Sequence, residues 1–387
     1  MDPIAISELR FLAPARILVG TGCRHELPRL LAADGRSNPL VVVDPRIGEA
    51  PALRDLLARL GAAGKAPPVC NEVPGEPYVE TAEAIAALLR AGQHDAVIAI
   101  GGGSVIDAAK GAALGATNPG RVVDYEGFDR FEIQPLPVYA LPTTAGTGSE
   151  VTRVTVLGAT HPIRKISIKG ARLVPTAALV DPDFLRSVPP RVAAAAATDA
   201  LTHALEAYLR PASSPVSRAL GLRAAVQILR VMSYGPAFMD AAHLPDLATG
   251  SMLAGLAFGN SDVGPVHCLA ESIGAVHKAP HGAANAVFLG PVLKYYGRGV
   301  DAALAEVARS AWPSRLGNVG DESAAQALVG SVAEFVAGAN IGTMLELCGG
   351  VIDVELIANL AETNNSNASG PLPMSATDYA RIIRLML

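Results

Sequence analysis

The stretch AVIAIGGGS at residues 96–104 joins an apolar run to three consecutive glycines. The run is continuously apolar and not alternating, which is typical of a parallel strand that is buried on both faces of a sheet. Glycines at the end of such a strand let the backbone approach a phosphate closely. The helix that we expect to begin near Val105 would direct its positive end at the same place. The stretch therefore predicts an α/β fold with an anion site where this strand ends.

The flanking sequence repeats this alternation of strands and helices. Leu40–Val43 is a second apolar run of strand length, and Val138–Leu141 is a third. Pro51–Leu60 and Thr81–Ala91 have helix-forming composition, and a proline is tolerated in the first turn of a helix. Alternating strands and helices from about residue 17 to residue 181 predict an α/β domain with a parallel sheet.

The chain changes character after Pro189 and Pro190. Three long segments beyond this point have helix-forming composition without strand-like alternation: Arg191–Leu209, Ser217–Met232 and Leu247–Phe258. At 387 residues the chain is also too long for one ordinary core. Because a double proline favours a change of chain direction, we expect an α/β domain over residues 1–188 and an all-helical domain over residues 189–387.

Composition excludes several classes of partner. The net charge is −5, and no basic run indicates a nucleic-acid surface. The apolar runs are far shorter than the roughly 18 residues that span a bilayer, and Met1–Arg10 lacks the pattern of a secretory signal, so we expect a cytoplasmic protein. Half of the residues are hydrophobic, which predicts a homo-oligomeric interface. The four cysteines show no CxxC spacing and are expected to be small buried side chains.

Four residues of the second domain form a candidate metal site. Asp199 and His203 are four residues apart in an expected helix, so both side chains project from one face. His267 begins an apolar stretch, and His281 stands at the start of another expected helix; five of the eight histidines lie between His203 and His281. One carboxylate and three imidazoles suit zinc or ferrous iron equally well, and such a site can also accept a substrate oxygen.

Two further segments predict a nucleotide site. Residues 142–150, PTTAGTGSE, follow a strand and offer four hydroxyls and two glycines, a composition suited to phosphate and ribose oxygens; the alternative is a tight solvent turn.

Asp44 closes the strand Leu40–Val43, where a carboxylate would accept hydrogen bonds from a ribose and repel a 2′-phosphate. This favours NAD over NADP. The alternative is an aspartate that caps the following turn. Asp107 and Lys110 stand in the first turns of the helix after the glycines, where ordinary cap chemistry is the alternative.

Taken together, five segments closely resemble the iron-containing (group III) alcohol dehydrogenases. They cover most of the chain in the same order: IGGGSVIDAAK at 100–110, LPTTAGTGSE at 141–150, VDP at 180–182, DALTHALEAY at 199–208 and PHGAAN at 280–285. The resemblance implies a Rossmann-like nucleotide-binding domain, an all-α metal-binding domain as in dehydroquinate synthase, and usually a homodimer. It also implies interconversion of a small alcohol with its aldehyde or ketone by hydride transfer to NAD, with the metal as Lewis acid.

The resemblance also implies roles for individual residues. Asp199, His203, His267 and His281 would hold Fe²⁺, which some members replace with Zn²⁺. The NAD site would be lined by Asp44, Gly102, Gly103, Ser104, Asp107, Thr143, Thr144, Ser149 and Lys165.

The chain departs from the family pattern at two places near the expected substrate. Many members carry a second histidine four residues after the third ligand, whereas this chain has Glu271. A carboxylate there would relay a proton or exclude acidic substrates. His277 is a candidate replacement relay; the alternative is a histidine that is hydrogen-bonded at a loop. The final Gly-Asn-Pro-Arg type loop of the family is replaced by NNSNASGP at residues 364–371, so the resemblance does not specify the alcohol.

Two other functions fit parts of this pattern. A lyase like dehydroquinate synthase would pair NAD with zinc but needs a basic cluster for a phosphorylated substrate, and Lys278 is the only lysine or arginine between His267 and Gly282. A catalytically retired dehydrogenase that serves as a binding subunit would explain the two departures but not the four retained ligands.

Overall fold

A computed structural model of the chain describes residues 11–64, 66–73, 75–160 and 163–387. The strands of the described residues are β1 (Arg16–Val19), β2 (Pro39–Val43), β3 (Val69–Cys70), β4 (Ala96–Gly101), β5 (Gly127–Phe128), β6 (Val138–Pro142), β7 (Val154–Thr160), β8 (Ile163–Lys169) and β9 (Ala177–Val180). Six of them form one sheet in the order β1-β9-β6-β4-β2-β3, and every pair in it is parallel. The parallel sheet predicted around residues 96–100 is therefore confirmed.

Helices cover both faces of this sheet. Those of the first half are α1 (Leu27–Ala33), α2 (Pro51–Ala62), α3 (Val79–Ala91) and α4 (Gly103–Thr117). Ile98 and Ile100 of β4 point into a cluster with α1 and α2, whereas Val97 and Ala99 point into a cluster with α3 and α4. Because successive strand residues face opposite sides, burial on both faces requires the unbroken apolar run that the sequence shows. α4 begins at Gly103, two residues before the expected start, since the extended Gly102 (φ −73°, ψ −172°) already serves as its N-cap.

A second, smaller sheet was not predicted. β7 and β8 pair antiparallel, and the short β5 pairs parallel with β8. The sheet packs against α3 and α4 through Leu157, Ile166 and Ile168. Lys110 joins it to α4, because its buried ammonium donates hydrogen bonds to the carbonyls of Thr152 and Val154, both at 2.9 Å. Lys110 therefore holds the small sheet against α4 and does not cap the helix.

The second half is helical, as expected, and the described residues contain no strand after residue 180. Its helices are α5 (Pro190–Leu209), α6 (Pro215–Met232), α7 (Leu244–Gly259), α8 (Pro265–His277), α9 (His281–Tyr296), α10 (Asp301–Ala311), α11 (Pro313–Leu316), α12 (Asp321–Gly338), α13 (Met344–Leu347), α14 (Val354–Thr363) and α15 (Ala376–Arg384). α5 is buried along most of its length and packs against α6, α7 and α9. A central buried helix can present polar side chains only to partners inside the protein.

The remaining expectations concern the cysteines, membrane-spanning helices, the N-terminus and the domain boundary. Cys70, Cys268 and Cys348 are buried free thiols, and Cys23 is half-buried. No helix in the described part of the chain is long and apolar enough to cross a membrane. The expectation about Met1–Arg10 concerns residues outside the described ranges. The domain boundary between residues 188 and 189 stays a prediction, and Pro190 is the first residue of α5.

Candidate functional site

Three helices bring the four candidate metal ligands together. Asp199 and His203 lie one turn apart on α5, His267 lies in the first turn of α8, and His281 is the first residue of α9. One potential ligand atom from each residue lies within 4.8 Å of the others. Three of the side chains are buried, and His281 is partly exposed. The sequence spacing of α5 thus produces the shared face, and α8 and α9 supply the two distant imidazoles.

The distances between these atoms match a site that closes around one ion. His203 Nε2 and His267 Nε2 are 2.9 Å apart. The Oδ1 atom of Asp199 lies 3.8 Å from His267 Nε2 and 3.6 Å from His281 Nε2. Ligand atoms that each stand about 2.0–2.2 Å from a common metal are separated by comparable distances. The geometry therefore fits a single divalent ion.

Glu206 fixes the orientation of His267. Its carboxylate accepts a hydrogen bond from His267 Nδ1 at 2.6 Å and others from the backbone N–H groups of Gly264 at 2.7 Å and Val266 at 2.8 Å. With Nδ1 committed as a donor, the lone pair of His267 is on Nε2, which faces the other ligands. A carboxylate behind a ligating histidine is the usual support of a metal site.

Two further side chains support the ligand set. The amide of Asn285 on α9 donates a hydrogen bond to Asp199 Oδ1 at 2.6 Å and lies 3.2 Å from His281 Nε2. The ring of Phe258 on α7 stacks on the imidazole of His203, with centroids 4.0 Å apart. The ligands are therefore held by packing and hydrogen bonds, which is what preorganisation of a metal site requires.

The electrostatics of the site keep two imidazoles neutral. Burial lowers the pKa of His203 well below its ordinary value, and the neighbouring His267 lowers it further. Burial also lowers the pKa of His281 to about 3. Burial lowers the pKa of His267 too, but Glu206 opposes this and leaves it raised. Neutral imidazoles are the form that binds metals, so the electrostatics favour the metal-binding form of His203 and His281, whereas His267 binds a metal once it has released its proton.

The glycine turn and the threonine-rich turn, residues 142–150, form one surface. The amide of Thr143 donates to the carbonyl of Gly101 at 3.0 Å. A Cβ on Gly102 would lie 3.1 Å from Thr144 Oγ1, and a Cβ on Gly103 would lie 2.7 Å from the side chain of Thr147. A side chain at either glycine would therefore force the facing threonine side chain or the turn to move. The glycine turn and the threonine-rich turn are thus adjacent at the carboxyl ends of β4 and β6.

The threonine-rich turn also touches α5, which carries two of the candidate metal ligands, and α7, which carries Phe258. A Cβ on Gly146 would lie 3.0 Å from the Cβ of Ala196, which precedes Asp199 by one turn of α5. Gly148 has a left-handed backbone (φ +62°), and a Cβ there would lie 2.4 Å from the Cα of Gly255 on α7. These close backbone contacts place the candidate nucleotide turn directly beside the candidate metal centre.

The remaining predicted nucleotide residues have the following surroundings. Ser104 lies in the first turn of α4 and donates a hydrogen bond from its hydroxyl to the carbonyl of Gly75 at 2.6 Å. Asp107 is buried, and its Oδ2 accepts from the amide of Val156 at 2.9 Å, so at least part of its role is to hold β7. Thr143 and Ser149 are buried, and Thr144 is partly exposed.

Lys165 and Asp44 are the last two predicted nucleotide residues. Lys165 on β8 pairs with Glu76 at 3.2 Å, and its charge helps to lower the pKa of His281, which indicates that it lies near this candidate ligand. Asp44 is buried at the end of β2, and its amide donates to the carbonyl of Ile100 at 3.0 Å. It also caps the following turn through Arg46, the alternative that the sequence left open.

Glu271 and the substituted final loop meet each other. Glu271 stands one turn after His267 on α8, and the amide of Asn364 donates to its Oε2 at 2.7 Å. Glu271 contributes to the raised pKa of His267, which places its charge near the metal ligands. His277 is the last residue of α8, and its Nε2 is buried without a hydrogen-bond partner among the described residues. The two departures from the family pattern are therefore in contact: Asn364 of the substituted final loop holds the carboxylate of Glu271.

Sequence reasoning missed Glu206 and Asn285. Both carry a signal that was available: Glu206 follows Asp199 and His203 at helical spacings of seven and three, and Asn285 follows His281 by four. These spacings place each on the ligand face of its helix. The role of Phe258 leaves no such signal, because it lies on another helix.

Comparisons with known families and structures agree with this geometry. The family model described as "Iron-containing alcohol dehydrogenase" matches residues 14–182, and the model of the "Fe-containing alcohol dehydrogenase family, C-terminal" matches residues 193–386.

Individual relatives match over most of their length. Long-chain-alcohol dehydrogenase 1 of Geobacillus thermodenitrificans is 39% identical over 294 residues, which are 75% of this chain and 74% of the relative. Choline dehydrogenase of Bacillus subtilis is 31% identical over 342 residues, covering 87% of this chain and 84% of the relative. The crystal structure of a 1,3-propanediol oxidoreductase superposes with a TM-score of 0.93 at 28% identity, over 98% of this chain and 100% of the other.

Proposed function

The chain belongs to the iron-containing alcohol dehydrogenase family, and on this premise we propose specific roles for its site residues. The protein is an oxidoreductase that uses NAD and a metal to interconvert an alcohol and its carbonyl product. The observation that carries the proposal is the convergence of Asp199, His203, His267 and His281 beside the threonine-rich turn.

Asp199, His203, His267 and His281 would hold the metal, Fe²⁺ or Zn²⁺. When bound, such an ion supplies a Lewis acid that makes the alcohol hydroxyl more acidic, while NAD accepts the hydride. Glu206 holds His267 with its Nε2 lone pair directed at the other ligands, and Asn285 holds Asp199. These residues keep the donor atoms in place before a ligand arrives.

The cofactor would lie along the glycine and threonine-rich turns. Gly102, Gly103 and Ser104 offer an open helix N-terminus to the pyrophosphate, and Thr143, Thr144 and Ser149 line the opposite side. Asp44 would accept a hydrogen bond from the adenosine ribose. Lys165 is proposed to contact the nicotinamide end, because its charge reaches His281. Asp107 is proposed to act by holding the base of this surface.

Glu271 is proposed to accept the proton that the alcohol loses. It stands on the ligand face of α8, and the hydrogen bond from Asn364 to Oε2 leaves its Oε1 atom to act as a base. The alternative is an electrostatic role in which Glu271 excludes anionic substrates. His277 is the second candidate, since its Nε2 is buried and unpartnered within the described residues.

A substrate panel tests the proposed function. The metal-loaded protein is mixed with NAD and one alcohol at a time: linear primary alcohols, 1,3-propanediol and choline. At least one of them should reduce NAD to NADH, which is measured by its absorbance. Choline is included because it is the substrate named for one relative and because its cation would suit the carboxylate of Glu271. Asp199→Asn should lose both metal and turnover, whereas Asp353→Asn, at an exposed helix cap, should lose neither.

The panel also separates the alternatives. Family membership does not favour a lyase. Tight binding of metal and NAD without turnover on any alcohol or aldehyde would instead indicate a retired dehydrogenase that serves as a binding subunit.

We further infer a homodimer in the cytoplasm. The support is the resemblance to the family, together with large apolar side chains that stay exposed, among them Val351 and Leu385 at 74% and 79%. Sedimentation would test the oligomeric state.

A further inference from the structure

Arg46 lies beside Asp44, the residue that is proposed to bind the cofactor's adenosine ribose. It follows Asp44 by two residues, and Pro45 between them fixes the first residue of the turn. The side chain of Asp44 is 7% exposed, whereas that of Arg46 is 66% exposed. A buried carboxylate and an accessible guanidinium therefore share one corner of the sheet, next to the end of β4.

The carboxylate of Asp44 is almost fully engaged by Arg46. Its Oδ1 accepts hydrogen bonds from the backbone N–H at 2.9 Å and from Nε at 2.8 Å, and its Oδ2 accepts from Nη2 at 2.7 Å. A carboxylate offers about four lone-pair positions, so one remains for a ribose hydroxyl. The negative charge that would repel a 2′-phosphate is meanwhile paired with a positive one.

The guanidinium of Arg46 has hydrogen-bond donors that Asp44 does not use. Two of its five N–H groups point at Asp44, which leaves three, including the edge formed by Nη1 and Nη2. That edge matches the geometry of a phosphate, which guanidinium groups bind through two parallel hydrogen bonds. Asp44 also raises the pKa of Arg46 through its hydrogen bond. Within the described residues the only ion pair of Arg46 is the one with Asp44.

We propose that Arg46, held in place by Asp44, is a receptor for the 2′-phosphate of NADP, so that this protein accepts NADP as well as NAD. The inference rests on the proposed placement of the adenosine ribose at Asp44. It revises the sequence-based expectation that Asp44 favours NAD over NADP. A pair with no net charge tolerates either nucleotide, and the free edge of Arg46 adds hydrogen bonds only for the phosphorylated one.

Nucleotide binding without substrate tests the proposal independently of turnover. The purified protein is titrated with NADH and with NADPH by nicotinamide fluorescence, and with 5′-ADP and 2′,5′-ADP by calorimetry. We expect the wild-type Kd for NADPH to lie within about tenfold of that for NADH. Arg46→Ala should raise the Kd for NADPH and 2′,5′-ADP by about 10- to 100-fold. It should change the Kd for NADH and 5′-ADP by less than about threefold.

Two matched variants complete the design. Arg46→Lys keeps the charge but not the fork, so its loss for NADPH should be intermediate. Arg54→Ala removes an arginine of α2 that is 60% exposed and paired with Glu49, and it should leave both nucleotides unaffected.

The proposal is overturned if the wild type binds NADH but not NADPH, if Arg46→Ala leaves NADPH binding unchanged, or if it weakens both nucleotides equally. Equal weakening would mean that Arg46 only positions Asp44. Failure to bind either nucleotide would instead reject the proposed cofactor site itself.

Discussion

Glu206 accepts a hydrogen bond from Nδ1 of His267 at 2.6 Å, across 61 residues of sequence. The same carboxylate accepts hydrogen bonds from the amides of Gly264, the N-cap of α8, and Val266 in its first turn, so it fixes both the helix that carries His267 and the ring itself. One side chain of α5 therefore couples the orientation of the third ligand to the helix that carries the first two.

Glu206→Gln should weaken metal binding about 10- to 100-fold, the usual cost of losing such a partner. The amide keeps the volume but cannot hold the imidazole through a charged acceptor. Metal affinity measured by competition with a chelator checks this. Glu322→Gln, at an exposed site, is the matched control. Unchanged affinity in Glu206→Gln would show that the orientation of His267 does not depend on this carboxylate.

Glu271→Gln should lower kcat/KM by about 100-fold and flatten the limb of its pH profile that reports proton acceptance. The glutamine can still accept the hydrogen bond from Asn364 but cannot take a proton. Glu271→His, which restores the common family residue, should recover a pH-dependent limb. A pH profile of Glu271→Gln that matches the wild type would reject proton acceptance by Glu271. In that case, a gain in activity on anionic aldehydes would identify it as an electrostatic filter.

Gly103→Ala should destabilise the protein and weaken NADH binding, because its Cβ would lie 2.7 Å from the side chain of Thr147. Thr147→Ala removes the two closest atoms, so the double variant should recover part of the loss in a double-mutant cycle. Gly330→Ala in α12 meets nothing within 4 Å, and it should stabilise the protein by up to about 1 kcal/mol. Denaturant unfolding of Gly103→Ala, Thr147→Ala, the double variant and Gly330→Ala measures these changes. Additive effects of the two turn substitutions would contradict the contact.

Glu150→Gln should change how stability depends on pH. Burial raises the pKa of Glu150 from 4.5 to about 7. Between these values the folded protein binds a proton that the unfolded chain does not, so this group's contribution to stability falls as the pH rises. The free energy of unfolding of Glu150→Gln relative to wild type should therefore increase by about 3 kcal/mol from pH 4.5 to pH 7.5. Titrating groups that do not interact with Glu150 cancel in this comparison; Lys110, whose pKa Glu150 helps to raise, is the exception. A constant difference across this range would show that Glu150 is charged in the fold.

Much of the fold could be predicted because it depends on local patterns. The unbroken apolar run of β4, its glycines and the composition of α5 each specify a local structure. The spacing of Asp199 and His203 likewise sets a shared helix face without further information. The small sheet of β5, β7 and β8 was not predicted, because its pairing depends on where α3 and α4 leave a surface to cover.

The chemical identities of the site follow from the order of residues alone: four candidate ligands suited to a divalent metal, a glycine turn suited to a phosphate, and a carboxylate at residue 271 where many family members have a histidine. Which of these groups lie together depends on the packing of the folded chain. It brings Glu206 to His267, the threonine-rich turn to α5 and α7, and Asn364 to Glu271 across 93 residues. The physical reason is that periodicity specifies the direction of a side chain on its own element, whereas the partner that it meets depends on how separate elements pack.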